Sequence, residues 1–492
     1  MKKYLLLYLF LVFPVTAQEI TLPIAKNAKK EYVAISETGI INVFFNKSVD
    51  TNAAIYKKAN GNIDFAQKLI NRIDSAKYSI DVCVYSFSGT PNPGDDIANA
   101  LIRAKERGVK IRFIIEEDNK NKVAVNKVIN AGIPVLTDKC GANDGSGLMH
   151  NKFFIFDNRD NSTDLDDWTI TGSWNPTQPG TYDDCQNIIE VRDKLFASAF
   201  TAEFDEMWGG AGDSFDVSKA KFGKNKTDNT THVFNIGGIH VELYFSPSDG
   251  TLTKIVDRIN NARHSINFSE LTFTNDDAAI AIKNAYTNYK VNVRGIMDAS
   301  NLSATGSKFE FFNSTPKWAS VIKSNYPTGF FHHKYMIIDG EKPSDEKSWV
   351  LTGSYNITNS AEYYNNENLV FIRNADIANQ YLQEFVKRFS ECGGIFTSVD
   401  NCSMPEGFQL SQNYPNPFNP ETRINYTVSK RGPVELKIYD ALGREVETLL
   451  NENKAPGNYS AEWRPINKAS GVYYYILKSD KNMNVRKMIY VR

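Results

Sequence analysis

Apolar and polar residues between positions 41 and 394 follow one order of elements twice. Short apolar runs predict buried strands, and apolar residues spaced three or four apart predict amphipathic helices. Such a helical face precedes the strand SIDVCVYSF in the first copy and the strand SINFSELTF in the second. The two faces consist of Phe65, Leu69, Ile70, Ile73 and Ala76 in the first copy and Leu252, Ile255, Val256, Ile259 and Ala262 in the second. Strands that alternate with helices indicate largely parallel α/β packing, with helices on both sides of a sheet.

The two copies also end in the same way. The apolar strands KFFIFD and DWTITGS of the first copy correspond to KYMIID and SWVLTGS of the second, and a long helix follows in both. The middle of the second copy is less regular, and there we predict a helix over Trp318–Ser324. A polar segment, 209–232, is rich in Gly, Lys, Asn and Thr and links the copies.

The length of 492 residues is too great for one core, which predicts several domains. After Cys402, short strands separated by Gly-containing turns predict a small all-β sandwich. The predicted parts are a signal peptide (1–17), a first repeat (18–215), a linker (216–232), a second repeat (233–396), a linker (397–409) and the sandwich (410–492).

The N-terminus predicts an exported protein. Lys2 and Lys3 precede the apolar stretch Tyr4–Val15, and the small residues that follow are typical of a cleaved secretory signal. The stretch is too short for a membrane span, so we expect a soluble mature chain beginning near Gln18. Export permits disulfides, and five cysteines leave at least one thiol free. We expect Cys83 to be a buried core thiol, and we predict the disulfides Cys392–Cys402 and Cys140–Cys185.

Charge is unevenly distributed, although the net charge of the whole chain is -1. Residues 4–404 carry 41 basic and 48 acidic side chains, a net of -7, whereas residues 405–492 carry 13 basic and 9 acidic ones. An acidic body without a Lys/Arg-rich stripe is a poor match for a long polyanion, whose binding neutralises many phosphates. The sequence has no closely spaced cysteine pairs and no His/Cys clusters, so we expect no structural metal.

One polar pattern stands at corresponding points of the two copies. His150-Asn151-Lys152 is followed by Asp157 seven residues after the histidine, and His332-His333-Lys334 is followed by Asp339 at the same spacing. A Gly-Ser-x-Asn sequence begins 15 residues after the first aspartate and 14 after the second. It supplies Ser173 and Asn175 in the first copy and Ser354 and Asn356 in the second. Three of the six histidines fall in these two places, so the polar chemistry repeats together with the apolar pattern.

The spacing of the pattern has a chemical meaning. Residues two apart in a strand point to the same face, so each histidine should project together with its lysine. Two such copies would gather two imidazoles, two ammonium groups and two amides around one anion. Donors of this kind stabilise charge on a phosphoryl group. One imidazole can then attack phosphorus while the other protonates the leaving oxygen.

Both motifs, within residues 41 to 394, resemble the HKD signature of the phospholipase D superfamily. The resemblance implies two pseudo-symmetric repeats, each a mixed sheet flanked by helices, and a phosphodiesterase that uses a covalent phosphohistidine without metal or cofactor. It implies structural roles for Asp157 and Asp339, and we expect His333 to be a bystander on the opposite face. The residues it implies for catalysis are His150, Lys152, His332, Lys334 and Glu367, and those for binding phosphate are Ser173, Asn175, Ser354 and Asn356.

One position of the site differs between the copies. Glu367 stands where the superfamily keeps a carboxylate that orients a histidine, and the first copy has Gln186 there, close to Asp183 and Asp184. A carboxylate partner favours the imidazolium form and raises the pKa of a histidine. With Glu367 assigned to the histidine of its own copy, His332 becomes the proton donor and His150 the nucleophile. The alternative stays open, because Asp184 could supply the missing charge.

The C-terminal sandwich resembles the sorting domain of the type IX secretion system, through its YPNPFNP opening, Gly-rich turns and terminal arginine. The resemblance implies that this machinery is a partner of the chain. It also implies passage through the outer membrane to the cell surface or the medium, followed by removal of the sorting domain.

The substrate stays open between two classes of phosphodiester. The negative charge of the body favours phospholipid hydrolysis over an endonuclease that cleaves DNA or RNA, and a non-catalytic binding module is a third possibility. The aromatic loops 307–318 and 328–331 could meet a lipid surface, belong to the core or stack on bases. We expect the protein to be a monomer.

Overall fold

The structure is a computed structural model that describes residues 33–491 except 37, 91–92, 140–146, 161–162, 327–328, 397–407, 429–431, 455–456 and 480–481. The predicted signal peptide therefore lies outside the described residues. Within these described ranges, no helix has the length and the apolar character that crossing a membrane requires.

The first copy builds a mixed sheet that has seven strands in the described part of the chain. Its strands and helices, after an N-terminal strand β1 (Val33–Ser36), are β2 (Ile40–Phe45), α1 (Phe65–Ser75), β3 (Ser79–Val84), α2 (Gly94–Glu106), β4 (Lys110–Ile115), α3 (Val123–Asn130), β5 (Val135–Thr137), β6 (Lys152–Phe156), β7 (Trp168–Gly172), β8 (Asn187–Arg192) and α4 (Lys194–Trp208). The strand order is β2-β8-β7-β6-β3-β4-β5, which places β6 near the centre.

The second copy repeats this order within a sheet that has nine described strands. Its elements are β9 (Val233–Ile236), β10 (Ile239–Ser246), α5 (Thr251–Asn260), β11 (Ser265–Glu270), α6 (Asp276–Tyr289), β12 (Asn292–Met297), α7 (Phe309–Phe312), β13 (Ser320–Lys323), β14 (Lys334–Ile338), β15 (Trp349–Gly353), α8 (Asn359–Tyr363), β16 (Glu367–Arg373) and α9 (Ala375–Glu391). The strand order is β1-β9-β10-β16-β15-β14-β11-β12-β13, so β14 takes the place that β6 has in the first sheet.

The predicted fold class is confirmed, and among the strands within each repeat parallel pairing is restricted to those that helical segments connect. β3, β4 and β5 pair in parallel, as do β11, β12 and β13, because a helical segment carries the chain from each strand to the next. The prediction of a helix over Trp318–Ser324 is wrong. Its second half is the strand β13, in which β-branched residues pair with β12, and the short helix α7 lies earlier in the chain.

One core joins the two repeats. It takes Phe153 and Phe200 from the first copy and Leu243 and Tyr335 from the second, all of them fully or almost fully buried. The closing helices α4 and α9 both contribute to this core, whereas α1 to α3 and α5 to α7 cover the outer faces of the two sheets with separate cores. This shared core holds the two sheets, whose inner strands β6 and β14 begin with the motif lysines, against each other.

The first strand crosses between the predicted domains. β1 belongs to the predicted first repeat in sequence, but it pairs in parallel with β9, so that Val33 lies opposite Val233 in the second sheet. The N-terminal part of the described chain therefore ties the two repeats together. The predicted domain boundaries otherwise stay predictions.

The C-terminal part forms antiparallel sheets with a core of its own. Its strands are β17 (Gln409–Leu410), β18 (Thr422–Val428), β19 (Gly432–Asp440), β20 (Glu445–Lys454), β21 (Gly457–Trp463), β22 (Gly471–Ser479) and β23 (Asn482–Tyr490). Buried and exposed residues alternate along β18, as expected for a strand with one face on a core.

Among the described residues, Cys185 and Cys392 are free thiols, and the disulfides Cys392–Cys402 and Cys140–Cys185 stay predictions. Cys185 is buried in the core that joins the repeats, beside Tyr326 and Arg388. The predicted partners, Cys140 and Cys402, lie outside the described residues. Cys83 is a buried core thiol, as the sequence predicts.

The two aromatic loops differ in their exposure. Phe312 and Trp318 of the first loop are buried in the core of the second repeat, so this loop offers little aromatic surface to a lipid or a base. In the described part of the second loop, Phe331 is buried and Phe330 is 48% exposed.

Candidate active site

The two histidine motifs stand at the start of the central strands. Lys152 begins β6 and Lys334 begins β14, so each histidine lies two residues before its strand and just outside the sheet. His150 and His332 are each 8% exposed, and both lysines are 1% exposed. The fold brings the four side chains into one buried site at the junction of the two repeats.

His150 is held by the carboxylate of the other copy. Its Nδ1 lies 2.7 Å from one oxygen of Glu367 and 2.9 Å from the other. Glu367 is fully buried, and it also accepts hydrogen bonds from the Ser354 hydroxyl (2.7 Å) and the Asn365 amide (3.1 Å). Because an ionised carboxylate only accepts hydrogen bonds, the Nδ1 of His150 carries the proton, and Nε2 is the atom left for chemistry.

His332 has the corresponding arrangement with a neutral partner. Its Nδ1 lies 3.0 Å from Oε1 of Gln186 and 3.1 Å from the carbonyl oxygen of Ser173. The Ser173 hydroxyl donates to the same Gln186 oxygen at 2.8 Å, as Ser354 does to Glu367. The assignment of Glu367 to His332 is therefore wrong. The reason is the crossed packing of the repeats, in which each copy supplies the partner for the histidine of the other.

The loops that carry the histidines are braced in the same crossed way. Before His150, the backbone N–H of Leu148 donates to Oδ1 of Asn365 (3.1 Å). Before His332, the backbone N–H of Phe330 donates to Oδ1 of Asp184 (2.7 Å). Asp184 is thus a support for the loop before His332 and accepts from the Gln186 amide at 3.3 Å, rather than bonding to a histidine itself.

A second pair of reciprocal bonds lies below the histidines. Nδ2 of Asn187 donates to Oγ1 of Thr352 at 2.7 Å, and Nδ2 of Asn368 donates to Oγ1 of Thr171 at 3.1 Å. These side chains are buried, so water cannot replace the bonds. The relative position of the two repeats is consequently fixed at the site.

Burial controls the charges of the site. It lowers the pKa of His150 to about 4 although Glu367 opposes the change, and it lowers the pKa of His332 well below the ordinary value, together with the nearby Lys334. Burial likewise lowers the pKa of Lys152, and it lowers that of Lys334 to about 8. Neutral imidazoles beside poorly solvated ammonium groups make a site that gains from binding an anion.

The amides of the Gly-Ser-x-Asn turns each have an oxygen atom without a partner in the described part of the chain. Asn175 is 8% exposed, and its Oδ1 has no hydrogen-bond partner within the described part of the chain. The same holds for Oδ1 of the partly buried Asn356. Buried amides normally find partners, so these two groups are suited to bind a polar ligand that enters between the repeats.

Asp157 and Asp339 hold the far ends of the motif strands. Asp157 has φ 58° and accepts from the backbone N–H groups of Lys77, Tyr78 and Ser79 at 2.6 to 3.0 Å. Asp339 has φ 54° and accepts in the same way from the three residues Arg263, His264 and Ser265. Both carboxylates fasten the start of a neighbouring strand and make no contact with the histidines of the site.

His333 is not a bystander. It is 1% exposed, and its two ring nitrogens lie 3.1 Å from Oδ1 of Asn187 and 3.0 Å from Glu384 of α9. It therefore connects the second motif to the first repeat and to the closing helix of the second. His333 projects to the face opposite the neighbouring residues His332 and Lys334. On that face it contacts Asn187 of the first repeat, so the face is an interface between the repeats.

Comparison with known proteins agrees with this geometry. Residues 69–208 and 255–389 match the family described as cardiolipin synthase, PLD-like domain, and together they make up more than half of the chain. The chain belongs to the phospholipase D superfamily. Residues 412–491 match a secretion system C-terminal sorting domain, which indicates export by type IX secretion to the cell surface or beyond.

Named relatives from the phospholipase D superfamily cover part of the chain. A phospholipase D of Rickettsia bellii is 30% identical over 153 residues, which is 31% of this chain and 71% of that protein. A mitochondrial cardiolipin hydrolase of Drosophila melanogaster is 29% identical over 155 residues, which is 29% of this chain and 57% of that protein. The chain thus spans little more than half of the second relative.

Two solved structures are similar at low sequence identity. A phosphatidylserine synthase of Haemophilus influenzae has 13% identity and a TM-score of 0.47, covering 66% of this chain and 83% of that chain. Nuc of Salmonella typhimurium, a phospholipase D family member, has 24% identity and a TM-score of 0.26, covering 35% of this chain and 94% of that chain.

Two residues of this superfamily site were missed by the sequence reasoning. The ring of Tyr85 packs 4.9 Å from that of His150 and 5.3 Å from Nζ of Lys152, and Glu270 ends the strand next to Lys334. Tyr85 directly follows β3 and Glu270 ends β11, the corresponding strand of the second copy, so an alignment of the two copies could have shown them as polar residues without a counterpart.

One group outside the site has the composition of a metal site. Within the described ranges, one group of side chains has potential metal-ligand atoms close together. It consists of Asp228, His232 and Asp249. The ring nitrogens of His232 already face Asp228 (3.0 Å) and the carbonyl of Leu243 (2.9 Å). The imidazole is occupied by these hydrogen bonds, and we assign no metal to the group.

Proposed function

We propose that the protein is a secreted phosphodiesterase of the phospholipase D type, which hydrolyses phospholipid phosphodiester bonds through a covalent phosphohistidine and needs no metal. The observation that carries the proposal is the crossed support of His150 and His332. Each histidine has its Nδ1 bonded to the other copy, so the two Nε2 atoms can act on one shared substrate, with Nζ of Lys334 3.4 Å from the Nε2 of His332.

The first step transfers the phosphoryl group to the enzyme. Binding of the anionic phosphodiester favours the imidazolium form of His332, which takes up a proton at Nε2. Nε2 of His150 then attacks phosphorus, the bond from phosphorus to the headgroup oxygen breaks, and His332 donates its Nε2 proton to that oxygen. Lys152 and Lys334, with the amides of Asn175 and Asn356, bind the phosphoryl oxygens and stabilise their charge. The first product is the headgroup alcohol.

The second step releases the phosphoryl group. Neutral His332 takes a proton from water, the water oxygen attacks phosphorus, and the bond between phosphorus and His150 breaks. The products are a phosphatidic acid and the free enzyme, with His332 protonated again. An alcohol in place of water would give a transphosphatidylation product by the same route.

The assignment of His150 as nucleophile rests on a corrected argument. A phosphohistidine keeps its Nδ1–H and is a cation, so a permanent carboxylate partner such as Glu367 stabilises it for its whole lifetime. The proton donor must lose its charge during the reaction, and the neutral Gln186 does not oppose that loss. Glu367 therefore favours His150 as the nucleophile. The sequence argument reached the same proposal for a different reason, because it assigned Glu367 to His332.

The preference for lipid over nucleic acid is supported by charge and by the names of the relatives. Residues 4–404 have a net charge of -7, which disfavours a long polyanion. Among the relatives, a phospholipase D and cardiolipin hydrolases are similar to parts of the chain. A shared phosphoryl site would serve either class of phosphodiester, so the substrate needs direct measurement.

A parallel assay of both substrate classes tests the proposal. The mature chain should release choline from phosphatidylcholine vesicles and form phosphatidylethanol when ethanol is added, whereas H150N and H332N should do neither. Acid-quenched enzyme should carry a phosphoryl label on His150. Cleavage of plasmid or single-stranded DNA without lipid turnover would make the protein a nuclease, and turnover of neither would make it a binding module.

A further inference from the structure

The second repeat contains a buried carboxylate that the first repeat lacks. Glu270 is the last residue of β11 and lies directly opposite Lys334 of β14, whereas Val84 takes the corresponding place opposite Lys152. Side chains that are opposite each other in adjacent antiparallel strands have Cβ atoms about 5 Å apart. The carboxylate therefore lies beside one lysine of the site, and the other lysine has an apolar neighbour there.

The surroundings of Glu270 leave it poorly compensated. It is 2% exposed, and its Oε2 has no hydrogen-bond partner in the described ranges. The small cavity next to it is lined by Lys334, Tyr355 and the apolar side chains of Ile255, Met336, Leu351, Ile357 and Leu369. A carboxylate is costly in such a place unless a cation faces it. Lys334 is the cation among these lining residues.

Glu270 and Lys334 each favour the charged form of the other, although burial opposes the charge on both. Burial raises the pKa of Glu270 well above its ordinary value, against the attraction of Lys334. Among the acidic groups that hold up the pKa of Lys334 against burial, Glu270 contributes the most. The other charged or titratable groups around Lys334 are Glu367 of β16, Asp184 after β7, Asp298 after β12, His332, His150 and Lys152.

We propose that Glu270 is a positioning residue that acts through Lys334, keeping its ammonium group charged for the substrate phosphate and so giving the two lysines of the site different roles. The inference rests on the proposed function for its chemistry, because it assigns Lys334 to the phosphoryl oxygens. In this scheme Lys334 is the lysine of the site that keeps its positive charge. Lys152 depends on Glu367, which is already bonded to His150.

The test removes the charge and keeps the shape. In E270Q the pKa of Lys334 should fall below about 8, so that the ammonium form is lost at lower pH. The alkaline limb of kcat/KM for bis(4-nitrophenyl) phosphate should then move down by about one pH unit. At pH 8 the loss should be about fivefold, approaching about tenfold above pH 9, and at pH 6 it should be much smaller.

Two further variants keep the test decisive. E270D retains a carboxylate and should restore most of the alkaline limb. E270V reproduces the apolar neighbour that Lys152 has in the first repeat, and it carries the same expectation as E270Q if that variant does not fold. An equal loss at every pH, or a lowered melting temperature with an unchanged alkaline limb, would assign Glu270 to structure alone and overturn the proposal.

Binding of an inert anion separates this inference from the proposed function. Tungstate is a phosphate mimic, and calorimetric titrations between pH 6 and 9 need no turnover. In one outcome the unaltered protein hydrolyses no substrate, and E270Q loses tungstate binding at a lower pH than the unaltered protein does. The role of Glu270 then stands and the proposed function falls. If the unaltered protein is active and tungstate binding has the same pH dependence in both proteins, the role of Glu270 falls alone.

Discussion

Glu367 and Gln186 occupy the same place in the two copies and differ by one charge. Each bonds to a serine of its own copy and to the histidine of the other. The pair makes a nearly symmetric site chemically unequal, because a carboxylate stabilises an imidazolium and an amide does not. We infer that this single difference makes His150 the nucleophile and His332 the proton donor.

Exchanging the two residues tests that division. E367Q should lower kcat by about 100-fold, since the phosphohistidine loses its counterion while the hydrogen-bonding shape is kept. Q186E should have a smaller effect, and the double variant E367Q/Q186E should not recover activity. The measurement is steady-state hydrolysis of bis(4-nitrophenyl) phosphate, with label mapping of the acid-quenched enzyme. Recovery in the double variant, with the label on His332, would show that the carboxylate selects the nucleophile and that either histidine can serve.

Asp157 and Asp339 act at the scale of the strand. Each sits at the end of a motif strand with a left-handed backbone, a conformation that asparagine and aspartate tolerate better than other side chains. Each carboxylate collects three backbone N–H groups at the start of the neighbouring strand. The aspartate of each motif therefore joins two strands and fixes the position of the motif strand, and with it the position of the histidine, along the sheet.

Substitution of these aspartates should affect stability rather than chemistry. D157A should lower the free energy of unfolding by about 2–3 kcal/mol, because three backbone donors lose a charged acceptor, whereas D157N should lose about 1 kcal/mol. D339A and D339N form the matched pair in the second repeat. Urea unfolding measures the change, and kcat at low temperature should stay within about twofold of the unaltered protein. A stable but inactive D157A would mean that the aspartate takes part in the reaction.

At the scale of the whole molecule, the candidate active site lies between the repeats, whereas the C-terminal domain has a core of its own. The core of residues 410–490 shares no residue with the core that joins the repeats. β1 and the closing helices α4 and α9 fasten the two repeats together. The candidate active site and the sorting domain therefore belong to separately packed parts of the chain.

Removal of residues 408–492 should separate the two properties. The truncated protein should keep the kcat and the melting temperature of its remaining part, because no side chain of the site belongs to the C-terminal domain. In a host with type IX secretion it should stay in the cells, whereas the full chain should reach the surface or the medium. Activity assays and cell fractionation measure the two effects. Loss of activity in the purified truncated protein would contradict the independence of the two parts.

Much of the site could be predicted from sequence because its chemistry is carried by short local patterns. The strands before and after each motif are apolar runs, and a histidine two residues before a lysine is a property of the chain itself. Tyr85 and Glu270 were not found, since each is a single polar residue at the end of an apolar strand. The helix predicted over Trp318–Ser324 failed because tertiary pairing with β12 overrides a weak local preference.

The sequence by itself determined the duplication, the mixed α/β class, the residues of both motifs and the export domain, because periodicity and spacing are local properties. Only the tertiary structure decided which histidine receives the carboxylate. Glu367 and His150 are 217 positions apart, and their contact depends on how the two repeats pack across a shared core. The same packing made His333 an interface residue and Cys185 a buried free thiol. Contacts between repeats leave no local pattern in the chain.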